Sequence, residues 1–157
     1  MKDTCKGYTL VELIVACFIV IVLGTIATAG FTVWLPNYNL KSAARDLYSN
    51  MQQVKMAAIK NNGNCTITFT TAPDQYVTTG VTKIVTLSEY GSGVKYQGPG
   101  GETYTLGGVL TFNSRGMCTP ALFDVYLSNL DNTAYYRVEA LSSGVIKFDK
   151  WISAEWK

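Results

Sequence analysis

The sequence predicts an α+β fold, a long N-terminal helix followed by a domain of short antiparallel strands. Three observations carry that reading. From Leu13 to Val33 the only polar side chains are Thr25, Thr28 and Thr32, and no charge appears. From Asn37 onward Leu40, Ala44, Leu47, Met51, Val54 and Ala58 step by four and three, the spacing of one helix face. Beyond Gly63 the chain breaks into short, alternating or β-branched runs bounded by Gly, Pro, Asn, Asp or Ser.

Composition narrows the function before any motif does. The chain has 157 residues, 13 Lys+Arg against 11 Asp+Glu, no His and 4 Cys. The length suits one domain of moderate size with a segment outside it. A near-neutral charge argues against bulk electrostatic attraction to nucleic acid. Without His, the commonest general base and metal ligand is missing. No GxSxG, HExxH, P-loop or EF-hand loop occurs. The composition reads as a structural or binding protein, not an enzyme, with no cofactor and no metal site. Cys5 precedes the apolar run and Cys17 lies inside it, whereas Cys65 and Cys118 fall in the Thr-rich remainder. That pair has neither CxxC spacing nor a nearby His, so zinc is not expected. A Cys65–Cys118 disulfide fits if this part of the chain faces an oxidising compartment.

The apolar run matches the roughly 20 residues that a helix needs to cross a bilayer. A secretory signal would use Lys2 and Lys6 as its basic start and Ala27-Thr28-Ala29 as its cleavage site. The run exceeds the ~7–15 residues of such a signal, and an acid at its cytosolic end is out of place. A plain single-span anchor explains the length but gives Glu12 no task. The stretch KGYTLVELIVACFIVIVLG, residues 6 to 24, offers a third reading. It closely resembles the class III leader of type IV pilins and type II secretion pseudopilins.

That resemblance implies a cut between Gly7 and Tyr8 by a membrane-embedded prepilin peptidase, which then N-methylates Tyr8. The family usually has Phe after the cut; Tyr8 keeps an aromatic ring there. The apolar helix stays as the anchor, and Glu12 becomes the fifth residue of the mature chain. The new amine then lies one helical turn from Glu12. A lone acid at the centre of a membrane helix costs about 2.5–3.5 kcal/mol on insertion scales. A neighbouring subunit's amine neutralises it, so the resemblance makes Glu12 an assembly residue. The implied organisation is a leader at 1–7, the transmembrane half of the helix at 8–35, its amphipathic half at 36–62, and a periplasmic β-domain at 63–157. The implied partners are the prepilin peptidase, other pilin or pseudopilin subunits through helix–helix contact, and the bacterial inner membrane. The fibre tip at the cell surface is the further location implied.

Trp34 suits a membrane interface, and Pro36 is expected to kink or interrupt the helix. Asn37 or Asn39 is the expected cap of the amphipathic half, and Asn61-Asn62-Gly63 its stop. Lys41, Arg45, Gln52 and Lys55 face away from the apolar stripe and are expected in solvent. The strand runs are CTITF, YVTTG, KIVTL, GVLTF, LFDVYLS, YYRVEAL and VIKF. Turns are expected at Ser114-Arg115-Gly116, Asp131-Asn132 and Ser142-Ser143-Gly144. Residues Gly91 to Gly108 hold seven glycines and Pro99, which predicts a long excursion or lid. GPGGETYTLGG has no lysine and no following helix, so it is not a phosphate loop. Ser128, Asn129, Asp131 and Asn132 include one acid and read as a turn, not a calcium site. Tyr135-Tyr136, Trp151 and Trp156 read as core or cross-strand aromatics.

Three patches, AARDLYSNMQQVKMAAIKNNGNCTITF, LTFNSRG and YRVEALSSGVIKF, resemble minor pilins and pseudopilins of the GspH/FimT type; residues 72–108 carry no resemblance. The likeness implies a helix packed on two antiparallel sheets, in a subunit at or near the tip of a fibre. FimT-like members that bind DNA carry basic residues after the hairpin glycine, in a Gly-Arg-x-Arg pattern. Here Gly144, Val145, Ile146 and Lys147 lack both arginines, so DNA binding is not carried over. Lys147 and Lys150 remain the candidates for a weak DNA contact, with Asp149 and Glu155 diluting the field. The expected function is priming or capping of a type IV pilus or type II secretion pseudopilus. The alternatives are a DNA-binding tip pilin for DNA uptake and a membrane-tethered periplasmic binding domain that never polymerises. Glu12 argues against the last, since a monomeric anchor has no use for it.

Overall fold

Helix α1 runs from Leu10 to Lys60 in a computed structural model that describes residues 9–91, 93–103, 108–152 and 154–157, with the side chains of 26–33 outside the described set. Thr9 opens it: the Glu12 backbone N–H donates to Thr9 Oγ1 at 3.3 Å, in the Thr-x-x-Glu spacing of a capping box. The helix continues through Pro36, so neither Asn37 nor Asn39 caps a second helix. Proline removes one N–H and its ring crowds the carbonyl four residues back, so Pro36 is a weak point within the helix and not its end. Asn37 instead accepts a hydrogen bond from Asn129 Nδ2 at 3.1 Å. At the far end Gly63 N–H donates to Ala58 O at 3.1 Å and Asn62 N–H to Ile59 O at 3.2 Å. With Asn62 at φ 48°, this is a Schellman stop that uses asparagine where glycine is usual.

The chain divides into two units, Met1–Leu35 and Pro36–Lys157. Among the described residues no helix is long and apolar enough to cross a membrane. The described part of the apolar run, Leu13 to Thr25, falls short of the roughly 20 residues needed, and the rest of the run lies at 26–33.

In the second unit the strands are β1 Cys65–Thr71, β2 Asp74–Thr78, β3 Lys83–Thr86, β4 Lys95–Tyr96 and β5 Val109–Phe112. They continue with β6 Cys118–Thr119, β7 Leu122–Ser128, β8 Tyr135–Leu141, β9 Ile146–Ile152 and β10 Glu155–Trp156. Two antiparallel sheets result, ordered β3-β2-β1-β5-β6 and β10-β9-β8-β7-β4. All seven strand runs and all three turns expected from the sequence are present. Residues 93–103 depart from expectation. They do not form a free excursion: β4 pairs with β7, and Gln97 N–H donates to Tyr126 O at 3.1 Å. Tyr126 N–H in turn donates to Thr103 O at 2.8 Å, so this glycine-rich segment edges the second sheet. Residues 104–107 lie outside the described set.

The helix stripe is the centre of the core. Leu40, Ala44, Leu47, Met51, Val54 and Ala58 are all buried. Phe69 of β1 stacks on Phe123 of β7, ring centroids 5.4 Å apart, and joins the two sheets. Asn50, the one buried polar side chain in this part of α1, donates from Nδ2 to Tyr76 Oη at 2.5 Å and accepts from Lys83 Nζ at 3.3 Å.

Strand alternation sets what each sheet turns away from the core. On the first sheet the register aligns Val109, Thr68, Val77 and Ile84 in one row. Thr119, Thr111 and Thr66 form the row on one side, and Thr70, Gln75 and Thr86 the row on the other. On the second sheet the outward positions include Asp124, Tyr126, Arg137, Glu139, Lys147 and Asp149.

Candidate functional site

Glu12 stands in the first turn of α1, where a helix N-terminus favours an acid by roughly 0.3–1 kcal/mol. Its backbone is held by Thr9, and its side chain is exposed. The side chains around it are apolar and exposed: Leu10, Val11, Leu13, Ile14, Phe18 and Val20 are each more than half exposed. A helix that is apolar on every side is stable only when something else buries it. Thr25 turns its hydroxyl inward, donating from Oγ1 to Val22 O at 2.8 Å, so it adds little polarity to that surface. The expected cleavage and methylation residues, Gly7 and Tyr8, lie outside the described residues, as does Cys5.

The expected Cys65–Cys118 disulfide is not formed; both cysteines are buried and free. The sheet register explains why. Cys65 of β1 and Cys118 of β6 both align with Phe112 of β5, one on each side. Two interstrand steps separate them by about 10 Å, beyond the ~7 Å that a disulfide bridges between Cα atoms. Cys118 Sγ donates to Leu141 O at 2.9 Å, and burial pushes its pKa up, so the thiol stays protonated. Thiol labelling with peptide mapping is expected to leave both cysteines unmodified in the folded, unreduced protein. Unfolding without reductant should expose both; labelling that still requires reductant would reinstate the bridge.

Lys147 and Lys150 do not come together. Three residues apart on β9, they point to opposite faces of the sheet. Lys147 Nζ lies 3.2 Å from Glu139 Oε2, and Lys150 lines an open cleft beside Asn37, Tyr136 and Trp151. Between them Asp149 Oδ2 accepts from Arg137 Nη2 at 2.6 Å. The guanidinium of Arg137 also sits 5.1 Å from the Trp156 ring centroid. Trp156 packs edge-on to Trp151 at 4.9 Å and tilted on Tyr126 at 5.6 Å. These aromatics pin the C-terminal strand across the second sheet. Burial raises the pKa of neighbouring Asp124, against the opposing pull of Arg137. The two cations on this face, Arg137 and Lys147, are thus matched by acids. The 128–134 turn is built by Asn129, whose Oδ1 accepts from Thr133 N–H at 2.9 Å and whose Nδ2 donates to Thr133 Oγ1 at 2.8 Å.

The two sequence patches around glycine meet in space. Gly116, in the β5–β6 turn, and Gly144, in the β8–β9 turn, adopt φ 75° and 78°. A Cβ on Gly144 would sit 2.9 Å from the Gly116 carbonyl carbon and closer still to its oxygen. Lys55, expected in solvent, instead donates from Nζ to Gly144 O at 2.8 Å. One helix residue thereby ties down the β8–β9 turn where it presses on the β5–β6 turn, a contact that no spacing in the sequence announces.

No protein-family model matches the chain, and no curated protein sequence matches it. Solved structures do. A crystal structure of the Pseudomonas aeruginosa type IV minor pilin FimU in space group P21 superposes with a TM-score of 0.58 at 12% identity, covering 77% of this chain and 94% of that one. A second FimU crystal structure, in space group P65, gives 0.52 at 15% identity, covering 75% and 97%. At these identities the likeness is one of fold, and the fold is that of a type IV minor pilin.

Proposed function

We propose that this chain is a minor pilin or pseudopilin, processed by prepilin peptidase and anchored in the bacterial inner membrane, that primes or caps assembly of a type IV pilus or type II secretion pseudopilus. One observation carries the reading: a helix segment exposed on all sides and apolar except for an acid in its first turn, on a chain with the FimU fold. Helix–helix contact with other subunits covers the apolar surface, and the acid selects the register. The role is one of assembly, not catalysis. Of the two candidate DNA contacts, Lys147 is paired with Glu139 and Lys150 lies on the opposite face of β9, so the two do not build one basic patch for the DNA-uptake alternative.

Processing provides the test. Intact-mass measurement of the membrane form should give a chain beginning at N-methylated Tyr8, with residues 1–7 removed. A mature chain beginning at Gly30 would identify a secretory signal and end the pilin reading.

A further inference from the structure

The outward faces of the two sheets differ in kind. The second sheet carries Asp124, Arg137, Glu139, Lys147 and Asp149 on that face. The first carries no charge in any of its three outward rows. β-Branched residues suit a pleated surface, so threonine and valine there need no partner to explain them. The lack of charge needs another reason. Within the middle row Ile84 is 62% exposed and Val109 41% exposed, at opposite ends of a line through Thr68 and Val77. Covering such a face strips water from hydroxyls and methyls, whereas covering an unpaired charge costs far more.

We propose that this uncharged face is where the β-domain of the neighbouring subunit docks in the fibre, an inference that rests on the pilin reading. Size selects this occupant. Three rows about 7 Å apart across four strands about 4.8 Å apart make a patch on the order of 400 Å². A free-standing complex buries about 800 Å² per partner, so the patch is too small to capture a soluble protein. A neighbour already tethered through the helix bundle meets it at an effective concentration near millimolar, where a small contact suffices. The surface opposite must be uncharged too, because a charge set against this face would be desolvated without a counter-charge.

The test uses the full-length chain in a fibre-forming host. Thr68 lies at the centre of the patch, is exposed, and tolerates a long side chain directed at solvent. Thr68→Lys and Thr68→Glu should each reach purified fibres at a tenth or less of the wild-type level. Their amounts in the membrane fraction should be unchanged. Thr68→Val, which adds no charge, and Leu122→Lys, on the other sheet, should stay within twofold of wild type. If Thr68→Lys is lost from the membrane fraction, Ile84→Lys at the sheet edge takes its place under the same threshold. Fibre levels of the charged variants within twofold of wild type, in a host that excludes Glu12→Val, would overturn the docking face and leave the pilin reading standing. Wild-type levels of Glu12→Val as well would overturn both.

Discussion

Gly144→Ala is expected to destabilise the β-domain by about 2–5 kcal/mol, combining two costs. A non-glycine residue held at φ near 78° loses roughly 1–2 kcal/mol to left-handed backbone strain. The new methyl also collides with the Gly116 carbonyl, which is backbone and cannot swing aside; forced overpacking of this kind costs typically 1–3 kcal/mol. The hairpins must separate, and the Lys55 hydrogen bond to Gly144 O goes with them. Gly101 separates the two costs, since it sits at φ 91° and a Cβ added there would meet nothing within 4 Å. Gly101→Ala should therefore show the strain alone. Thermal melts of the full chain in detergent should place Gly144→Ala on the order of 10 °C below wild type, with Gly101→Ala only a few degrees below. Equal shifts for the two variants would mean that the hairpins do not press together as described.

The helix face was legible because its signal is local: six apolar residues at a 3.6-residue period, all buried where the period places them. The long strands were legible for the same reason. β4, β6 and β10 were not, since two residues cannot display alternation, and each exists only because a longer neighbour offers it an edge. Register is a further step beyond legibility. Nothing in the spacing of Cys65 and Cys118 reveals that both align on Phe112, and that shared neighbour is what keeps them apart. Gly116 and Gly144 could each be read as a turn glycine, but they meet directly across 28 positions, and Gly144 is held there by Lys55, a lysine whose pattern assigns it to solvent. At the helix start the spacing held two messages at once. Thr9-Leu10-Val11-Glu12 has the spacing of a capping box, with the Glu12 N–H bonded to Thr9 Oγ1, and is also part of a leader-like stretch. Any test of Glu12 has to separate them.

Glu12→Val and Glu12→Gln together make that separation. If Glu12 serves only its own helix, by capping the N-terminal turn, glutamine can serve at the same capping position and should assemble normally. If its charge meets the amine of a neighbouring subunit, glutamine fails as valine does. The expected result is that both variants reach purified fibres at least tenfold below wild type. An intersubunit interaction of only about 1.4 kcal/mol per subunit would account for tenfold, and a charge pair inside a bilayer has more than that at stake, because the alternative is an unpaired carboxylate in hydrocarbon. Membrane insertion should be intact in both, and for valine slightly improved, since an acid leaves an apolar segment. Quantitative immunoblots of membrane and fibre fractions from the same cells measure the two effects side by side. Normal assembly of Glu12→Gln with failure of Glu12→Val would assign Glu12 to the capping box alone. Normal assembly of both would show that the exposed helix from Leu10 to Thr25 is buried without reference to its one acid, and the mechanism of register selection would have to lie elsewhere.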